Sequence, residues 1–66
     1  MYLITGQGGL YPEGCAFRTL TANGAIERYQ AVRIACGRGV VRDSSGKRLS
    51  VPRLARLAED ELTSEV

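Results

Sequence analysis

The segment Thr21-Ala22-Asn23-Gly24-Ala25-Ile26-Glu27-Arg28-Tyr29-Gln30-Ala31-Val32-Arg33-Ile34-Ala35-Cys36-Gly37 decides the fold. Asn23-Gly24 suits two structures: the type I′ turn of a hairpin running on into a strand, or the entry to a helix. The residues after it favour the helix. Ala25, Tyr29, Val32 and Cys36 recur at i, i+4, i+7 and i+11, which is one face of a helix. Read as a strand, one face would carry Ile26, Arg28, Gln30, Val32, Ile34 and Cys36, a poor surface for a core. The alanines, Glu27, Gln30 and arginines are good helix formers, and Gly37 stands where a left-handed cap belongs. The spacing therefore predicts a helix over 25–36, with Ile34 projecting from its polar side. A hairpin there would give the alternative fold, an all-β barrel-like meander with one C-terminal helix.

Working outward, Met1–Thr5 is a compact apolar run suited to a strand, residues 6–14 read as a loop, and Cys15–Thr21 as a second strand. Beyond the helix, Gly39–Arg42 begins a strand, Asp43-Ser44-Ser45-Gly46 makes a turn, and Lys47–Ser50 returns as a short polar edge strand. Ser50-Val51-Pro52 opens a last helix, with Ser50 or Val51 as its cap and proline in its first turn, where a missing N–H is harmless. Val51, Leu54, Leu57, Ala58 and Leu62 form its apolar stripe, and residues 63–66 are expected to fray. The expectation is a single α+β domain over 1–66 in β-β-α-β-β-α order. Its mainly antiparallel sheet would be packed by two helices.

The opening Tyr2-Leu3-Ile4-Thr5-Gly6-Gln7-Gly8-Gly9 resembles the start of the short-chain dehydrogenase and epimerase families, where a strand ending in Thr-Gly leads through glycines into a helix. That resemblance implies a pyrophosphate seat, which needs both the glycine spacing and the helix N-terminus. Here Tyr11 stands where a third glycine would complete the spacing from Gly6, and Pro12-Glu13-Gly14 starts a turn rather than a helix. Ser45-Gly46-Lys47-Arg48 is similar to the end of a P-loop, but Val41 replaces the required glycine and Arg48 the required Ser or Thr. Gly37-Arg38-Gly39 reads as a helix stop and strand start. No cofactor is expected.

The chain carries no histidine, so it contains no Ser-His or Cys-His nucleophile system. Glu59, Asp60, Glu61 and Glu65 cluster at one helix end rather than flanking a cleft. Cys15 and Cys36 allow one internal disulfide, but read as two free thiols acting as small apolar groups, and two thiolates do not complete a zinc site. The expectation is no enzyme and no metal. There is no run of about 18 apolar residues and no secretory signal pattern, which points to a cytoplasmic protein that spans no membrane. With 66 residues, such a domain buries only about 60% of its unfolded surface and often gains stability on a partner.

The charge layout is the strongest functional signal. Net charge is +2, yet residues 1–17 carry −1, residues 18–53 carry +6 and residues 54–66 carry −3. Eight of the nine basic residues are arginine, the side chain that forks onto carboxylates and phosphates and is favoured at interfaces. In the last helix the acids stand toward the C-terminus, against the macrodipole. This layout suits a small non-enzymatic protein-binding module, a stoichiometric inhibitor or adaptor of a larger protein or complex. Phage and mobile-element accessory proteins share that profile. Its expected contact residues are Arg33, Arg38, Arg42, Lys47, Arg48 and Tyr11. The alternative is a nucleic-acid-binding module using the arginine-rich segment 18–53, and a third reading is a homo-oligomer assembled through the 47–50 edge or the last helix.

Overall fold

The computed structural model describes the backbone of residues 1–64 and the side chains of residues 1–62. The chain runs β1 (Tyr2–Gly8), β2 (Tyr11–Thr19), α1 (Ala22–Cys36), β3 (Val40–Arg42), β4 (Arg48–Leu49) and α2 (Val51–Ser64). The strands form one antiparallel sheet in the order β2-β1-β3-β4. This is the small α+β domain expected from the sequence, and α1 excludes the all-β meander.

Strand alternation divides the sheet into a helix-packed and an uncovered side. Ile4 of β1 is fully buried, and its cross-strand partners Phe17 and Val41 point the same way, as does Leu49 opposite Val41. Ala22, Ala25, Val32 and Cys36 of α1, with Leu54 and Ala58 of α2, close the core above them. Arg28 of α1 lies over the Phe17 ring at 4.5 Å and covers the edge of that core.

The expected 6–14 loop is instead the distal half of a β1–β2 hairpin turned by Gly9-Leu10. Glycine has low strand preference, which hides β1's second half from a propensity reading. Tertiary contact supplies the reason. A Cβ at Gly6 would lie 2.4 Å from Val32 Cγ1 and 3.0 Å from the Arg38 carbonyl oxygen. One at Gly9, where φ is +52°, would lie 2.0 Å from the Ala35 carbonyl oxygen. The glycines are the seat on which α1 rests, and Leu10 N–H fastens the hairpin tip to the Ala35 carbonyl at 3.0 Å. Between Gly6↔Cys15 and Gly8↔Tyr11 the register shifts, so β2 bulges over Pro12-Glu13-Gly14.

Helix α1 starts three residues earlier than the sequence spacing predicts. Thr21 is its N-cap, accepting from Gly24 N–H at 3.0 Å. The carboxylate of Glu61, arriving from α2, accepts from Ala22 N–H at 2.7 Å and from Asn23 N–H at 3.3 Å. The acidic end of α2 thus serves the N-terminus of its neighbour, where its charge meets α1's positive dipole end. At the other end Gly37, with φ +85°, is the left-handed cap, its N–H bonded to Arg33 O at 2.7 Å. For α2 the cap is Ser50, whose hydroxyl accepts from Arg53 N–H at 3.3 Å.

Of α2's expected stripe, Leu54 and Ala58 are buried and Leu57 is half-buried, while Val51 and Leu62 at its two ends are exposed. Glu61, rather than Leu62, turns toward α1. Of the expected frayed tail, Thr63 and Ser64 belong to the last turn of α2, and residues 65–66 lie outside the described residues. Among the described residues no helix is long and apolar enough to cross a membrane.

Candidate functional site

The side of the sheet away from the helices is uncovered. Leu3 on β1 pairs with Arg18 on β2 and with Arg42 on β3, which in turn pairs with Arg48 on β4. All four stand one residue off the Ile4-Val41-Leu49 core positions, so they share the open face. The order across the sheet is Arg18, Leu3, Arg42, Arg48. At about 4.8 Å per strand the row spans roughly 14 Å. The three arginines are exposed and Leu3 is half-buried between them. Among the described residues no hydrogen bond, ion pair or ring contact engages the side chain of Arg18, Arg42 or Arg48.

Toward the hairpin tip the row gives way to small residues. Ala16, Thr5 and Val40 face each other across the strands. With Gln7, Glu13 and Arg38 they line an open groove of about 970 Å³. The face therefore has arginine at both ends and a shallow, small-residue middle. Asp43, which follows Arg42, is turned back on its own hairpin. Its Oδ1 accepts from Ser45 N–H at 2.9 Å, Ser45 Oγ–H at 2.6 Å and Lys47 N–H at 3.0 Å. The Ser45 hydroxyl bond, foremost, holds this carboxyl below its ordinary range.

The six residues singled out from the sequence divide among different parts of the surface. Arg42 and Arg48 are in the row, Lys47 is in the adjoining β3–β4 turn, and Arg38 is at the far end of the groove. Arg33 lies on α1, in its last turn, and Tyr11 at the hairpin tip on the helix-side alternation. Arg18 joins the row unanticipated. Alternation along 15–21 separates it from Cys15, Phe17 and Thr19, but only the cross-strand register brings it level with Arg42. No family model, curated protein or solved structure matches the chain.

The charged groups of the row are guanidiniums, and among the described residues no three His, Cys, Asp or Glu side chains converge as a metal site would require. None of the four aromatic residues is in the row, and Tyr2 borders it, lining a depression with Leu3, Arg18 and Arg42. Tyr2, Phe17 and Tyr11 follow the helix-side alternation of Ile4, and Tyr29 belongs to α1. Of the described acids, Glu27, Glu59, Asp60 and Glu61 are on the helices, Glu13 borders the groove and Asp43 is in the β3–β4 turn. The helices also carry Arg28, Arg33, Arg53 and Arg56, so their described charges balance, whereas the row Arg18-Arg42-Arg48 contains no acid.

Proposed function

We propose that this protein is a non-catalytic binding module that holds a nucleic-acid duplex by its phosphate backbone on the open sheet face. The observation carrying this reading is the row Arg18-Arg42-Arg48, three unpaired guanidiniums from three strands on one uncovered surface. Protein-binding hot spots are built on large buried anchors, and this face offers only half-buried Leu3 and Val40 between small residues. Electrostatics must therefore supply most of the affinity, which is the regime of phosphate contacts. Single strands are gripped by stacking on aromatics, and none of the four residues of the row is aromatic. The acidic segment that would oppose nucleic acid lies on the opposite layer, with Glu61 already engaged by α1.

Fluorescence anisotropy with a labelled duplex tests this. Neutralising three phosphates gives a slope of log K against log salt of about −2.7, or roughly a 40-fold loss between 50 and 200 mM salt. Arg42→Gln should flatten that slope by about 0.9, and Arg33→Gln, on the helical layer, should leave it unchanged. No duplex binding at 50 mM salt, or tighter binding to an unstructured single strand, would refute the assignment.

A second reading, the protein-directed inhibitor or adaptor, draws on a different end of the molecule. Leu10 at the hairpin tip is 79% exposed and Ile34 on α1 is 86% exposed. Leu10 N–H bonds the carbonyl of Ala35, the residue after Ile34, so both apolar side chains stand at one end of the fold. Under this reading Leu10→Ser with Ile34→Ser abolishes capture of a protein partner from nuclease-treated lysate, while Arg42→Gln does not.

A further inference from the structure

The two cysteines are distant in sequence and adjacent in space. Cys15 on β2 and Cys36 at the end of α1 have their sulfurs 4.0 Å apart, and both are free thiols. Gly6, the cross-strand partner of Cys15, makes this possible. Its missing side chain leaves a window between strand and helix, and Cys36 Sγ lies 3.4 Å from where a Gly6 Cβ would stand. The two thiols differ in access. Cys15 is half-buried on the edge strand β2, whereas Cys36 is buried in the core. The segment just before Cys15 is the Pro12-Glu13-Gly14 bulge, where the regular ladder to β1 is interrupted.

We propose that Cys15 and Cys36 are a reversible dithiol–disulfide site, closed by exchange with a low-molecular-weight disulfide of the glutathione type. The Cys15 thiolate, the accessible one, attacks one sulfur of the small disulfide. That forms a mixed disulfide on Cys15 and expels one small thiolate, which takes a proton from solvent. Cys36 then loses its proton to solvent, and its thiolate attacks Cys15 Sγ. The mixed disulfide breaks, the Cys15–Cys36 bond forms, and a second small thiol leaves. Two electrons pass from the protein thiols to the small disulfide, which is reduced to two thiols. The sulfurs must close from 4.0 Å to about 2.05 Å, a movement the adjoining bulge can absorb. Burial, foremost, with Cys15 beside it, raises the Cys36 thiol above its ordinary range, so ring closure quickens with rising pH.

Closure would fasten the edge strand β2 to the C-terminal end of α1, enclosing the chain between them. A loop of that length restricts the unfolded chain enough to raise the melting temperature on the order of 10 °C. The experiment uses the reduced full chain incubated with oxidised glutathione and followed by intact mass. The expected product is monomeric, lighter by two hydrogens, closed to alkylation, higher melting, and restored by dithiothreitol. Cys36→Ser should stop at one glutathionyl adduct on Cys15. A wild-type chain that keeps that adduct without closing, pairs between two molecules, or remains fully alkylatable would overturn the proposal. The wild-type masses alone decide it, whether or not the serine variant folds.

Discussion

Gly6→Ala is expected to destabilise the domain by about 3 kcal/mol, the upper part of the range for adding a methyl group to a tight core. A domain of this size has only about 3–10 kcal/mol in total, so the melting temperature should drop on the order of 15 °C or folding should fail outright. The cause is steric. The new Cβ would stand 2.4 Å from Val32 Cγ1, on a β-branched side chain only 2% exposed, and 3.0 Å from the Arg38 carbonyl oxygen. Neither neighbour is the free end of a flexible chain. Gly37→Ala supplies the contrast. Its φ is +85° but nothing lies within 4 Å of a Cβ there, so only the backbone penalty of about 1–2 kcal/mol applies. Adding Val32→Ala to Gly6→Ala removes one of the clashing atoms. The pair should therefore cost less than the sum of the single changes, with a coupling of about 1 kcal/mol in denaturant titrations. A Gly6→Ala protein as stable as the parent would show that the strand and α1 do not approach this closely.

The sequence disclosed the elements whose information is local. The spacing Ala25-Tyr29-Val32-Cys36 marks the buried side of α1, and Gly37 and Ser50 are the caps their types suggest. Ile34 stands out from the polar side, as its position in that spacing requires. What stayed hidden depends on partners distant in the chain. The glycines of β1 read as a loop because their role is to receive α1, which no local preference encodes. The first turn of α1 depends on a carboxylate 39 residues further along. The arginine row has the same character. Its members lie on separate strands, and only the register through Leu3 aligns them. Charge counting identified the basic segment 18–53, but could not separate Arg33, on the helices, from Arg18, on the sheet.

Glu61→Ala tests the long-range part of that account through the sign of its effect. Taken as an isolated helix, α2 should gain by losing an acid near its C-terminus, by a few tenths of a kcal/mol up to about 1. In the folded protein the same carboxylate accepts from Ala22 N–H at 2.7 Å and Asn23 N–H at 3.3 Å. Ala22 is fully buried, so deleting the acceptor strands a donor that water does not reach. Losing a charge-assisted bond and leaving that donor unsatisfied should cost about 2–3 kcal/mol. Glu61→Gln keeps an acceptor oxygen but not the charge, so it should lose roughly half as much. Asp60→Ala, an exposed neighbour on the same turn, should stay within about 0.5 kcal/mol. Amide exchange at Ala22 and Asn23 should quicken in Glu61→Ala more than exchange around Val32. A stability gain would mean that α2 answers to its own dipole alone, and that α1's early start rests on the Thr21 cap.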